Sequence, residues 1–347
     1  MADKRPNEWV QLLLSRFDSQ LPIRTGIHTA QSTQNMERNK ECLVNVSKYK
    51  FSLVISGLTK MLQNIDSMQV YGPDAERNFC DSLLIVLETL EKCLTCQPHD
   101  TSRLDETILV KNLLQELFRV RNLVLNFMHL TSDNGKMYNQ LLLLVSQVLY
   151  ALSTQYFNAV FNRIPNCLAL AAQDESNVDQ ANELELIQHL NLDIRKLSRL
   201  IVEICNRFRS LKKSTWLHLA VYLERAIWNW LENYPQEFDD LQKKPNDELA
   251  DCCERLFDLF TSLCAESGRK KVLVWPLQMM LLVLCPKILE EINNAENGAP
   301  LSPEHQKKKQ FLDEAISYNT ACQYLSSLSL TEQQEEGEEE YNKQLFS

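Results

Sequence analysis

Residues 79–94 read FCDSLLIVLETLEKCL. Phe79, Leu83, Val86, Leu87, Leu90 and Leu94 recur at the three- and four-residue spacing of one helical face, with Glu88, Glu91 and Lys92 interleaved. The same spacing returns upstream in Phe51, Val54, Ile55, Leu58, Leu62 and Ile65. It returns downstream in Trp216, Leu219, Leu223, Ile227, Trp230 and Tyr234. No clear run of strict apolar–polar alternation intervenes, so the expected fold is all-α.

Breaks are marked by Pro98, residues 132–135, Pro165, Pro235, Pro245 and residues 297–300. Ser302-Pro303 offers an N-cap followed by proline at the first helical position. The pattern predicts helices over 7–20, 36–65, 75–96, 102–130, 136–172, 183–210, 215–233, 246–266, 271–292 and 304–328, with a break inside the second near Ser47. Short connections make neighbours antiparallel, and hairpins of about 40 residues suit an α-solenoid of HEAT or armadillo type. One closed bundle is the alternative, but ten helices exceed what a simple bundle accommodates. Residues 1–329 are expected to form one helical-repeat arm, with 174–180 and 293–303 as polar loops inside it. Residues 330–347 form an acidic tail too poor in apolar residues to fold alone. Trp216, Trp228, Trp230 and Trp275 are the leading core anchors, each expected to contribute roughly 1.5–3 kcal/mol on burial.

Composition removes several function classes. The chain has 7 glycines in 347 residues, and the closest pair, Gly57 and Gly72, lie fifteen positions apart. Phosphate-cradling loops need several glycines within a few positions, so Rossmann and P-loop fingerprints are excluded. Hairpin-rich β folds are disfavoured for the same reason. The net charge of −10 argues against nucleic acid as a partner. Residues 272–285 are strongly apolar but too short to span a bilayer and contain Pro276 and Gln278, which makes them a buried helix. The opening MADKRPNEWVQ lacks the apolar core of a secretory signal, and 11 scattered cysteines are not a small disulfide scaffold. Reduced thiols and a cytoplasmic location are expected.

Chemistry-bearing patterns are sparse. Cys93 and Cys96 form one C-x-x-C with His99 nearby, but no second pair completes a zinc site, and two thiols on a buried helical face are expected. Cys252-Cys253 point to different faces. The six histidines show neither H-x-H nor H-E-x-x-H spacing, and His218 reads as a packing histidine beside Trp216. There is no G-x-S-x-G. Asp239-Asp240 lack a third carboxylate, since position 243 is Lys, and read as a solvated helix end. No cofactor or metal is expected. The strongest cluster is basic: Arg195, Lys196, Arg199, Arg207, Arg209, Lys212 and Lys213, interleaved with Leu197, Leu200, Ile201, Ile204 and Phe208. Such a face suits an acidic partner or an anionic lipid surface, while a solvated helix face is the plainer reading.

Several stretches resemble the N-terminal region of the neurofibromin family of Ras GTPase-activating proteins. They are residues 8–11 (EWVQ), 15–18 (SRFD), 20–23 (QLPI), 39–42, 47–58 (SKYKFSLVISGL), 90–94, 103–111 (RLDETILVK), 157–164 (FNAVFNRI), 228–238 (WNWLENYPQEF) and 274–286 (VWPLQMMLLVLCP). They occur in the same order, cover roughly residues 5–314 and include rare tryptophans. The resemblance implies a large cytosolic helical solenoid that dimerises through its arms, with a downstream module that lowers Ras signalling by accelerating GTP hydrolysis. That module acts through an arginine finger. It has no counterpart in these residues, so no catalytic residue is carried over. After about residue 314 the sequence departs from the family pattern. The expected function is a non-catalytic scaffold arm whose partners are neurofibromin-like chains and, indirectly, Ras-pathway proteins. An unrelated solenoid adaptor or transport factor, gripping peptides in a concave groove, is the alternative. An independent GTPase activator is a third.

Overall fold

The computed structural model describes residues 4–26, 30–66, 72–96, 107–130, 135–173, 183–211, 213–264, 268–296 and 300–317. Among them every regular element is helical and no strand occurs, so the chain is all-α. It divides into two compact units, one from residues 1–196 and 207–230, the other from 197–206 and 231–347.

The first unit holds α1 (Lys4–Ser19), α2 (Pro22–Thr25), α3 (Ala30–Asp66), α4 (Pro73–Thr95), α5 (Thr107–Leu130), α6 (Gly135–Gln155), α7 (Phe157–Phe161) and α8 (Arg163–Gln173). A 3₁₀ segment, Glu183–His189, then leads towards α9 (Ile194–Arg207), and α10 (Lys213–Asn233) supplies the rest. The second unit holds the middle of α9, the end of α10, α11 (Pro235–Lys243), α12 (Asp247–Cys264), α13 (Gly268–Val283), α14 (Pro286–Glu296) and α15 at 303–317.

Prolines and caps explain most boundaries. Gly72 adopts φ +86° before Pro73, and Asp74 and Glu76 place negative charge on the first turn of α4. The break expected near Ser47 falls at Lys50 (φ −132°, ψ 49°), so α3 is two helices joined at a kink. The helix expected over 136–172 is three. The chain leaves helical geometry at Tyr156 (φ −127°, ψ 44°) and turns again at Asn162, just before Pro165 denies a bond to residue 161. The helix expected over 183–210 is also wrong in its first half. A 3₁₀ segment and the non-helical residues 190–193 precede α9, which begins where the Asp193 side chain accepts a 2.9 Å bond from the Lys196 N–H. Pro286 divides 271–292 into α13 and α14. The short helices α2 and α11, each opened by proline, were not expected from the periodicity.

In the first unit, α3 packs on α1, α4 and α5, and α6 packs on α4 and α5. Gly57 permits the close approach of α1: a Cβ there would lie 2.4 Å from the Leu14 Cδ1 atom. Phe127 stacks on Tyr138 at 6.3 Å and meets Phe79 edge-on at 6.0 Å. In the second unit α12 packs on α13, and buried Gln278 donates to the Phe257 carbonyl (3.3 Å) and the Thr261 hydroxyl (2.8 Å).

Of the four expected tryptophan anchors, Trp230 is buried, and Trp216 and Trp275 are half-buried. Trp216 stacks on Phe208 at 5.2 Å and donates Nε1–H to its carbonyl at 3.0 Å. Trp228 is 47% exposed and is not a core anchor. The expected loop at 174–180 and tail at 330–347 lie outside the described residues. No described helix is long and apolar enough to cross a membrane.

Candidate functional site

The 3₁₀ segment Glu183–His189 (ELELIQH) is held by arginines from three helices of the first unit. Its apolar residues Leu184, Leu186 and Ile187 are buried, which turns the intervening polar groups towards their partners. Arg163 of α8 grips Glu183 with two bonds, Nε–H to Oε2 at 2.7 Å and Nη2–H to Oε1 at 2.9 Å. Arg121 of α5 pairs with Glu185, both side chains being largely buried. Arg225 of α10 donates Nη1–H to the Gln188 Oε1 atom at 2.8 Å. Asn229 of the same helix donates to the Gln188 carbonyl at 2.9 Å. Just beyond, the Asn191 amide groups donate to Ser153 Oγ (2.8 Å) and Thr154 Oγ1 (2.9 Å) of α6.

These contacts determine a tautomer. An arginine only donates, so the Gln188 oxygen faces Arg225 and its amide nitrogen faces the other way. That nitrogen lies 2.8 Å from Glu185 Oε1 and 3.2 Å from His189 Nε2, with one hydrogen for each. His189 Nε2 therefore accepts, and the ring carries its proton on Nδ1. Burial, then the positive charges of Arg121 and Arg225, pull the His189 pKa down to about 4, so the ring is neutral at pH 7. Burial likewise pushes the Tyr222 phenol and the Glu224 carboxyl up, with Arg225 opposing in both cases.

Two cavities open in front of this network. The larger, about 540 Å³, is lined by the end of α4 (Glu91, Thr95), by Ser146, Gln147 and Tyr150 of α6, and by Asn229. The smaller, about 250 Å³, is lined by Glu224, Arg225 and Trp228 of α10. Gln188, His189 and Asn229 line both, so the two cavities adjoin, and together they form a polar groove in the surface of the first unit. The wall offers uncharged donors and acceptors, the two carboxyl groups of Glu91 and Glu224, one guanidinium and the Trp228 indole. Those groups are suited to recognising a ligand by hydrogen bonding and stacking.

The basic residues singled out from the sequence are not gathered into this groove. Arg195, Arg199 and Arg209 are exposed, and Lys196 and Arg207 are half-buried. Lys196 lies 3.3 Å from Asp193 and 5.1 Å over the Phe157 ring. Arg199 belongs to the second unit and the other four to the first. Lys212 and the Lys213 side chain lie outside the described residues, as does His99. Two smaller expectations need correction. Cys93 is buried, its thiol pushed up to about 12 by burial, but Cys96 is exposed at the end of α4. His218 is exposed and stacks on Tyr222 at 6.4 Å instead of packing inside. Asp239 and Asp240 are exposed, as expected. The groove residues His189, Gln188 and Arg225 escaped the sequence reading because no local spacing links them. Their only signal was the acidic alternation E-L-E-L-I before Gln188.

The second unit buries different groups. Cys252, Cys253 and Cys285 are buried, and Cys253, hydrogen-bonded to Cys285, has its thiol driven well up by burial. Lys308 is buried, with Nζ 2.7 Å from Glu254 and 3.5 Å from Asp258. A cavity of about 250 Å³ lies beside Phe257, Trp275 and Phe311. Among the described residues, no group of three or more His, Cys, Asp or Glu is placed to hold a metal ion. No protein-family model matches the chain.

Proposed function

We propose that the chain is a non-catalytic interaction arm of the neurofibromin kind, an α-solenoid segment that serves Ras regulation in the cytoplasm by docking other proteins. The observation that carries this reading is where the family-like stretches fall. Their apolar residues supply core: Phe51, Val54, Ile55 and Leu58 in α3, Val160 and Phe161 in α7, Trp230 in α10, and Val274, Leu277 and Leu281 in α13 are all buried. Sequence shared at such positions specifies a frame. The helix pairings favour a solenoid: α3 packs on α4 and α5, α4 on α6, α12 on α13 and α13 on α14, always near neighbours along the chain. Within that frame the polar groove of the first unit is the docking surface.

The test uses the purified chain immobilised as bait. Capture of a neurofibromin-like chain, with no change in single-turnover GTP hydrolysis by Ras, is the expected result. Failure to capture, or acceleration of hydrolysis by this chain alone, overturns the proposal. The groove itself favours one second reading, an unrelated solenoid adaptor that grips peptides. That reading expects peptide binding without capture of any neurofibromin-like chain.

A further inference from the structure

We infer that the aromatic cavity of the second unit is a receptor for one arginine side chain carried on a partner polypeptide. It is a site apart from the groove of the first unit, and it holds whether or not the neurofibromin reading does.

Three helices wall this cavity of about 250 Å³: α12 with Phe257 and Asp258, α13 with Trp275 and Gln278, and α15 with Phe311 and Glu314. Lys307, Phe311 and Glu314 recur at four and three residues, which puts them on one face of α15. Phe311 meets Phe257 at 5.1 Å and Trp275 at 6.1 Å, with interplanar angles of 86° and 85°. An edge-to-face pair covers the face of only one of its rings, so the three rings do not use up their π surfaces on one another. Lys308 shows that the cluster takes a cation, since its Nζ lies 5.8 Å over the Phe257 ring.

The charges have the sign a cation needs. Two lining carboxylates, Asp258 and Glu314, face one lining ammonium, Lys307. Lys308 draws on Asp258 at 3.5 Å, but its shorter contact, 2.7 Å, is to Glu254, so with that pair counted three carboxylates stand against two ammonium groups. His305, 3.7 Å from Glu254, brings a carboxylate of its own in Glu291 at 2.6 Å, which leaves the excess unchanged. The recorded partner of Glu314 is the neutral Gln310 amide at 3.0 Å. Among cations, a guanidinium fits best: it lies flat on aromatic rings and donates five N–H groups to carboxylates on α12 and α15. A quaternary ammonium would leave those acceptors unmet. The volume is below the roughly 300–1,000 Å³ of small-molecule sites, which favours a side chain presented by a protein over a free ligand.

The experiment is NMR on the full chain with nitrogen-15 in its tryptophans, following the Trp275 indole N–H, assigned with Trp275→Phe. The probes are Gly/Ser heptapeptides, added to millimolar concentration, whose central residue is arginine, its uncharged isostere citrulline, lysine or trimethyllysine. The arginine peptide is expected to shift the Trp275 resonance saturably and to bind fivefold or more tightly than the other three. Glu314→Gln changes an exposed side chain, so the fold is kept, and it should weaken the arginine peptide severalfold without touching the citrulline peptide. Phe311→Leu keeps apolar bulk, removes one π face and should weaken it as well. A Trp275 resonance that does not respond to the arginine peptide, equal affinity for arginine and citrulline, tighter binding of lysine or trimethyllysine, or a Glu314→Gln chain that binds arginine as before overturns the inference.

Discussion

The two units each take a basic side chain out of water, and they do so differently. In the first, Arg121 and Glu185 are both only 14% exposed at their side chains. In the second, the Lys308 side chain is 2% exposed, but Glu254 keeps 28% of its surface and Asp258 keeps 63%. A buried cation whose anion is also buried has no other partner to turn to. One whose anions reach the surface leaves them able to rehydrate. The first arrangement specifies geometry strictly, which is what a preorganised groove needs, whereas the second mainly ties α15 to α12.

The largest effect follows from that contrast. Arg121→Met should cost about 3–5 kcal/mol in urea unfolding, because it strands the Glu185 carboxylate inside the first unit. Adding Glu185→Leu should restore much of the loss, since the apolar pair removes both buried charges together. A single-variant cost below about 1 kcal/mol would erase the difference between the units.

His189 gives the next effect, and its sign is set by its partners. Its folded pKa of about 4 lies below the ordinary 6.5. Between those values the unfolded chain binds the proton more readily, so stability falls as pH drops through the window from about 6.5 to 4. It is fully present above that window. The shift corresponds to about 3 kcal/mol, and it should be missing from the acid unfolding profile of His189→Gln. Groups facing the ring are Arg121, Glu185, Gln188 and Arg225. A His189 resonance that titrates near 6.5 in the native protein would falsify the buried, neutral assignment.

These two residues also show where sequence reading stopped. The helices around residues 79–94 and 215–233 were legible, because each carries its own apolar stripe and buries it on a neighbour. The break at Pro235 was legible for an equally local reason, a missing N–H, whereas the break at Pro286, inside the helix expected over 271–292, was missed. The segment 183–189 was not legible. Its conformation depends on Arg121, Arg163 and Arg225, which come from three separate helices, and nothing in E-L-E-L-I-Q-H announces them. Trp228 and Trp230 make the point at closer range. Two positions separate them, about 200° around a helix, so one is buried and the other faces solvent. Reading both as core ignored that rotation. The basic cluster around 195–213 was visible by composition, but composition could not tell that Lys196 would be drawn to Asp193 and the Phe157 ring.

A smaller loss is expected in the second unit. Lys308→Met keeps the aliphatic stem near Phe257 and removes the ammonium. Glu254 and Asp258 then turn to water, so the cost should be about 1–2 kcal/mol, well short of the Arg121 variant. Measuring both in one urea series tests the ranking directly, and a Lys308 cost equal to or above that of Arg121→Met reverses it.

The smallest effect belongs to the thiols. Cys253 is fully buried, and its one hydrogen-bond partner of note, Cys285, is a weak acceptor that itself reaches the carbonyls of Leu281 (3.3 Å) and Ala250 (3.5 Å). A thiol in such a place packs as a small apolar group, so Cys253→Ala should cost only about 1 kcal/mol, the loss of one atom's contacts. Cys253→Ser should cost more than the alanine variant, because a hydroxyl loses more on leaving water than a thiol does. Burial also raises the Cys253 thiol pKa and blocks access, so N-ethylmaleimide at neutral pH should modify exposed Cys42 and Cys96 first. If Cys253 is alkylated as fast as Cys42, or if serine is tolerated better than alanine, the interior of the second unit is wet. Its contrast with the hydrogen-bonded interior of the first would then disappear.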